Sequence, residues 1–335
     1  MVSIVPSETQ LSGCAGGRRT CIMFNAVLER YLTGEPVILE PYLTMDNMIV
    51  PVRKDHDLAE EIRIARSVPD PGAFDIWWLG QSGFLLHWNG RTLLFDPYLS
   101  DSLTEKYAST DKPHVRMSER VIDPGLLTGI DIVTSSHNHT DHLDAATLRP
   151  ILDHNPGIRL VIPEANRTFV CNRIECEHSY PLGVNDGQEV RVGEFSFTGI
   201  PSAHNEIDRD HHGRCLYLGY LVRFGDWTIY HSGDTLFHDG LADILRPAKP
   251  DVAFLPINGN DPSRSVAGNM NGAEAARLAK DIGSKMVIPH HFHLFEFNTA
   301  EPDLFEASCH SLGQPFVTMK LGERLHIDRR VRSIS

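Results

Sequence analysis

The segment that most constrains this chain is Ser135 to Asp144, SSHNHTDHLD, which sets three histidines and two aspartates within ten residues. It directly follows Ile130 to Thr134 (IDIVT), an apolar run that reads as a buried strand. His137, His139, Asp141 and His142 therefore fall in the loop at a strand's C-terminal end. Alternate positions 137 and 139 can point two imidazoles the same way, and Asp141 and His142 then turn toward a second point nearby. Imidazole and carboxylate are the ligands expected for Zn²⁺, Mn²⁺ or Fe²⁺, and a cluster this dense is hard to explain otherwise.

The text around the cluster is written in strands. Phe74 to Leu79, Gly83 to Trp88 and Thr92 to Asp96 are short apolar runs, and Asn89-Gly90 between the last two is the strongest short hairpin signal. Further strands are expected at Arg159 to Ile162, Glu189 to Val192, Phe195 to Ile200, Tyr217 to Phe224, Thr228 to His231, Val252 to Pro256 and Met286 to Pro289. Helical spacing appears at Ala145 to Leu152 and Gly272 to Ile282, between the later strands. Many strands first and αβ alternation afterwards predict two packed sheets flanked by helices.

Residues 1 to 70 read differently. Cys21 to Leu32 and Asp57 to Arg66 are helix-like, with Asp57 as a possible cap, and Val37 to Val52 reads as an extended arm. The breaker Val68-Pro69-Asp70-Pro71-Gly72 suggests an N-terminal extension over 1–70 and a catalytic domain over 71–335. The arm could pack against a neighbouring subunit in a homo-oligomer.

Composition removes several function classes. A net charge of −13 argues against nucleic-acid binding, which rests on many Lys and Arg contacts to phosphate. It leaves room for a small anionic substrate, since bound dications reverse the local field. The six cysteines show no C-x-x-C pair and read as free thiols, and Met1 to Arg19 lacks an apolar leader core, so a cytoplasmic protein is expected. No run approaches the about 20 apolar residues that span a bilayer, so membrane insertion is not expected.

H-x-H-x-D-H after a strand resembles the signature of the metallo-β-lactamase superfamily. Ile76 to Gly83 (IWWLGQSG), Asp96-Pro97, His231-Ser232-Gly233-Asp234-Thr235 and Val287-Ile288-Pro289-His290-His291 are similar to the L-ascorbate-6-phosphate lactonase branch. SHNHTDHLD is also similar to the N-acyl-phosphatidylethanolamine phospholipase D branch. The resemblance covers about residues 74 to 326. It implies an α/β (α+β) fold, a four-layer αββα sandwich, holding two divalent ions, Zn²⁺ or Mn²⁺ or else Fe²⁺. It further implies that His137, His139 and His204 bind the first ion, Asp141 and His142 the second, and that Asp234 bridges both. A last ligand follows V-I-P, with His291 preferred and His290 the alternative. Asp96 and His231 would support the ligands from behind.

The chemistry implied is hydrolysis by a metal-bound hydroxide, with Asp141 as the catalytic carboxylate orienting the nucleophile. A lactone or ester of a small phosphorylated or sugar-like acid is the expected substrate. A phosphodiesterase keeps the same fold and is the closest alternative; a non-catalytic metal or ligand sensor is the third reading. His114, Arg116 and His293 are candidates for substrate contact. Asp111 to Met117 (DKPHVRM) reads either as an anion clamp or as a solvated loop.

Overall fold

A computed structural model describes residues 48–264 and 268–329. The expected helix at Cys21 to Leu32 and most of the arm lie outside them. The first helix, α1 (Asp55–Arg66), starts two residues earlier than expected, with Lys54 at its N-cap, so Asp57 sits inside the first turn rather than capping it. Asp55 and Asp57 there still oppose the helix dipole favourably. Leu58, Ile62 and Ala65, spaced three to four apart, are the buried stripe.

Two sheets carry the fold. The first is built from β1 (Ala73–Gly80), β2 (Gly83–Trp88), β3 (Arg91–Phe95), β4 (Ile132–Thr134), β5 (Arg159–Pro163) and β6 (Leu182–Val184) in sequence order, with β13 (Arg324–Asp328) added beside β1. The strands from β13 to β3 pair antiparallel and those from β3 to β6 pair parallel. The second sheet has β7 (Glu189–Val192), β8 (Phe195–Pro201), β9 (Leu218–Phe224), β10 (Trp227–His231), β11 (Val252–Pro256) and β12 (Val287–His290) in order. Its β7 to β10 are antiparallel and β10 to β12 parallel. Asn89 and Gly90 both have positive φ, 47° and 80°, as a type I′ hairpin requires, and pin the register of β2 against β3.

β1 and β2 are buried along their full length, which is why both read as continuous apolar runs rather than alternating ones. The sheets meet through aromatic contacts: Phe84 of β2 lies 4.3 Å from Phe254 of β11, and Phe74 of β1 lies 4.8 Å from Trp227 of β10. Truncating a buried ring such as Phe84 to Ala costs about 3–5 kcal/mol.

Helices flank the sheets. They are α2 (Ser102–Tyr107), α3 (Ala145–His154), α4 (Arg167–Ile174), α5 (Leu241–Leu245), α6 (Gly272–Asp281) and α7 (Asp303–Leu312). The α6 helix opens with a capping box, Asn271 accepting from the Glu274 amide while Glu274 accepts from the Asn271 amide. This is the αββα sandwich expected. The parallel pairings matter for function: β3, β4, β8, β10 and β12 all end on one side, and their C-terminal loops converge there.

Candidate metal centre

Each strand end delivers one or more ligand-type side chains. After β4, Ser135 to Asp144 winds into a turn closed by the His142 and Leu143 amides on the His139 carbonyl, at 3.1 and 2.9 Å. Asp144 caps α3 through the Thr147 amide at 3.0 Å and takes hydroxyl bonds from Ser100 and Ser102, anchoring the loop's far end. His204 follows β8, Asp234 follows β10 and His291 follows β12.

These side chains form two groups. His137, His139 and His204 offer ligand atoms all within 4.8 Å of one another, and so do Asp141, His142, Asp234 and His291. Asp234 reaches both groups: its Oδ1 is 3.2 Å from His142 Nε2, and its Oδ2 is 3.2 Å from His291 Nε2 and 3.6 Å from His204 Nε2. The turn that aims it needs Gly233, whose φ is +57° and where a Cβ would sit 2.5 Å from Ser136 Cβ.

The ligand nitrogens are oriented from behind. Asp96, fully buried at the end of β3, accepts from His142 Nδ1 at 2.8 Å, from the Thr134 hydroxyl at 2.8 Å and from the Ser136 amide at 3.1 Å. His204 Nδ1 donates to the Gly268 carbonyl at 2.8 Å, turning its Nε2 inward. His231 donates from Nε2 to the Ser82 carbonyl at 2.8 Å and accepts the Gly233 amide on Nδ1 at 3.3 Å, so it holds the turn that carries Asp234. Asp96 and His231 thus lie behind the candidate ligands, where outer hydrogen bonds fix imidazole and carboxylate orientation.

His290 and His291 face different partners. His290 is tied to Ser82 at 3.0 Å through Nδ1, lies 3.5 Å from Ser232 through Nε2, and stacks on His231 at 5.3 Å. His291 adopts φ 63°, and that left-handed turn swings its ring to Asp141 and Asp234 instead. Sequence reasoning missed Gln81. Its amide donates to Asp141 Oδ2 at 2.8 Å and lies 3.0 Å from His291 Nε2. The only signal for it was its place in IWWLGQSG, immediately after β1.

Electrostatics agree with a cation-binding centre. Burial alone would raise the Asp234 carboxyl, but the His291 and His142 imidazoles hold it well below the usual range. Burial opposes the charged form of His291, yet Asp234 and the bond to Asp141 lift it to about 9. His142 is likewise raised by Asp234 and Asp141 against the burial penalty. His137 goes the other way: burial and the neighbouring histidines push it well below its ordinary value, leaving a neutral imidazole ready to ligate. The residues fit dications on a further count. His137 Nε2 is buried without a hydrogen-bond partner, at a typical cost of about 1–3 kcal/mol that coordination would relieve. The donors are nitrogen and oxygen only, which suits Zn²⁺, Mn²⁺ or Fe²⁺.

His139, Asp141, His204, Asp234 and His291 line a cavity of about 600 Å³, within the usual range for small-molecule sites. His114 lines it, together with Lys106 and Lys112. Arg116 does not: its guanidinium is held by the Ser118 and Ser100 carbonyls and by Asp101 at 3.4 Å. His293 lines a separate cavity of about 310 Å³ and pairs with Glu301 at 2.8 Å. Of the three residues expected to meet substrate, the structure brings His114 to the centre and places the other two elsewhere. Among the described residues, no helix is long and apolar enough to cross a membrane.

Comparison with known proteins agrees with this architecture. A beta-lactamase superfamily domain model matches residues 75–291. A UPF0173 metal-dependent hydrolase of Rubrobacter xylanophilus is 29% identical over 262 residues, 76% of this chain and 97% of that protein. One from Methanosarcina mazei is 26% identical over 257 residues, 75% of this chain and 98% of that protein. Among solved structures, the metallo hydrolase Igni18 of Ignicoccus hospitalis aligns with a TM-score of 0.56 at 20% identity, covering 76% of this chain and 99% of the other. The isothiocyanate hydrolase from Delia radicum gut bacteria aligns at 0.58 and 19%, covering 76% and 99%. With a matching family model over most of the sandwich, and the family's ligand-type residues gathered where its strands end, the chain belongs to the metallo-β-lactamase superfamily.

Proposed function

We propose that the chain is a hydrolase using two divalent ions, and that it opens a lactone or ester of a small anionic acid. The observation that carries this reading is the shared position of Asp234, within 3.6 Å of His204 on one side and 3.2 Å of His142 and His291 on the other. His137, His139 and His204 would hold one ion, and Asp141, His142 and His291 the other. When bound, the ions supply a water acidified toward neutral pH and a Lewis acid for the oxygen under attack.

The chain's own residues do the rest. Asp141 stays ionised beside His142 and His291, although burial opposes it, and Gln81 fixes its carboxylate by the 2.8 Å amide bond. It is thus placed to accept a hydrogen bond from the attacking water and align it. His114, with Nδ1–H donated to the Lys112 carbonyl at 3.0 Å, keeps Nε2 as its remaining acceptor. Lys106 and Lys112 give the cavity a positive rim in a chain of net charge −13. The lactonase-like motifs around Gln81 and Asp234 support carbon–oxygen rather than phosphorus–oxygen cleavage.

The test is turnover of a sugar-acid lactone and a generic phosphodiester, side by side, by Mn²⁺- and Zn²⁺-loaded protein with Asp141→Asn as control. Lactone opening that is lost in the variant is the expected result. Phosphodiester cleavage alone would replace the bond assignment, and full activity of Asp141→Asn would sink the role given to that carboxylate.

A further inference from the structure

Outer hydrogen bonds hold most of the candidate ligand histidines. His142 has Asp96 behind it at 2.8 Å, His204 has the Gly268 carbonyl at 2.8 Å, and His137 Nδ1 meets the Ser136 hydroxyl at 3.0 Å. His139 is the exception: among the described residues its ring has no hydrogen-bond partner. A metal-binding imidazole is almost always aimed by a bond on its other nitrogen, because an untied ring turns about its side-chain torsions and points its lone pair away. Something other than a hydrogen bond must fix this one.

Tyr217 stands at that place. It lies immediately before β9, at the joint between the two loops that carry the three-histidine group. Its carbonyl accepts the Ser202 amide at 3.2 Å, two residues from His204. The next amide, of Leu218, donates to the Ser136 carbonyl at 3.0 Å, beside His137. The Tyr220 hydroxyl adds a third tie, to the Ser135 carbonyl at 2.9 Å. Held on this backbone, the Tyr217 ring meets all three imidazoles. Its centroid is 5.0 Å from His137 at 37°, 5.8 Å from His139 at 76° and 5.6 Å from His204 at 52°. His139 otherwise touches only the rings of His137, at 4.6 Å, and His204, at 5.1 Å. The second group has no such neighbour: among the described residues, His142 and His291 meet histidine rings alone.

We propose that Tyr217 is a positioning residue for the three-histidine ion: its ring, packed across His137, His139 and His204, takes the place of the outer hydrogen bond that His139 lacks and keeps three lone pairs converging on one point. The inference rests on the two-ion hydrolase reading for what the group binds. The ring rather than the hydroxyl does this, since among the described residues the Tyr217 side chain makes no hydrogen bond. Close-packed rings cannot turn without opening voids, whereas a flexible side chain of similar bulk yields.

Co²⁺ binding by the whole protein tests it. Competition with a chelator gives the affinity of each ion, visible absorption reports the geometry around Co²⁺, and anomalous diffraction shows which position is depleted. Tyr217→Leu is expected to weaken the ion against His137, His139 and His204 about tenfold or more and to change its absorption, while the ion against His142 and His291 stays within about twofold. Tyr217→Phe should restore both affinities and the wild-type spectrum. If the leucine variant does not fold, Tyr217→Met, with similar bulk and no flat face, carries the same expectation. Wild-type affinities and spectrum in the leucine or methionine variant overturn the proposal. So do equal weakening of both ions, or a phenylalanine variant that behaves like the leucine one. The two readings fail separately: two ions bound without turnover of lactone or phosphodiester removes the hydrolase assignment and leaves Tyr217 its role, and unchanged Co²⁺ binding in an active Tyr217→Leu enzyme removes this one.

Discussion

Replacing Asp96 by Asn changes a single atom of a fully buried side chain and should nevertheless disable half of the metal centre. Asp96 receives three donors, His142 Nδ1, the Thr134 hydroxyl and the Ser136 amide, within 3.1 Å. A carboxylate satisfies all three because both oxygens accept. An asparagine has one acceptor oxygen and one donor amide. If the oxygen keeps Ser136 and Thr134, the amide faces His142 Nδ1 and forces the tautomer that carries its hydrogen on Nε2, the atom aimed at Asp234. If the amide flips, the oxygen keeps His142 Nδ1 and the Ser136 N–H, which lies 3.1 Å from both positions, but the amide meets the Thr134 hydroxyl donor to donor. The first arrangement places a hydrogen where a lone pair must ligate; the second takes the acceptor from a buried hydroxyl, at about 1–3 kcal/mol. Loss of such a supporting partner typically lowers metal affinity about 10–100-fold, or roughly 1.4–2.7 kcal/mol. Chelator competition on folded Asp96→Asn, checked by circular dichroism, should show one ion held as in wild type and the other weakened by that factor. Both ions bound within about twofold of wild type would refute the tautomer argument.

Three further outcomes follow from the same geometry. His291→Gln should lose the second ion, whereas His290→Gln should keep two ions and lower the melting temperature, because His290 is bonded to Ser82 rather than aimed at the centre; elemental analysis with calorimetry reads both. His291 is raised to about 9, so in the metal-free protein it is protonated near neutrality and must release that proton to ligate. Affinity should therefore climb as pH rises toward about 9 and fall on acidification, with proton release seen as buffer-dependent heats of binding; a pH-independent affinity contradicts it. Gly233→Ala places a methyl 2.5 Å from Ser136 Cβ at a φ of +57°, so it should destabilise the fold and weaken both ions through Asp234, measured by thermal unfolding with and without Zn²⁺.

The candidate metal-binding loop was legible in the sequence because its side chains are themselves the ligand types, packed at a strand end. Strands β1 to β5 were legible because both of their faces are buried, which leaves unbroken apolar text. Other parts were not. β13 is the mostly polar RLHID, and it becomes a strand only by pairing with β1, where Arg324 and His326 meet Asp75 across the ladder. The preference between His290 and His291 depends on a left-handed backbone at His291, which spacing does not encode. Gln81 is not a ligand type and carried no chemical flag. Arg116 carried a false one, since its charge gave no hint that two carbonyls and Asp101 would hold it. The start of α1 shifted because Asp55 and Asp57 both suit a helix's first turn.

The central claim is that Asp234 lies between two ions. Anomalous diffraction from crystals of the Zn²⁺- or Mn²⁺-loaded protein tests it most directly. Two peaks about 3.5–4 Å apart are predicted, one against His137, His139 and His204, the other against Asp141, His142 and His291, with the Asp234 carboxylate touching both. A single peak, or two peaks of which one avoids Asp234, would contradict the account.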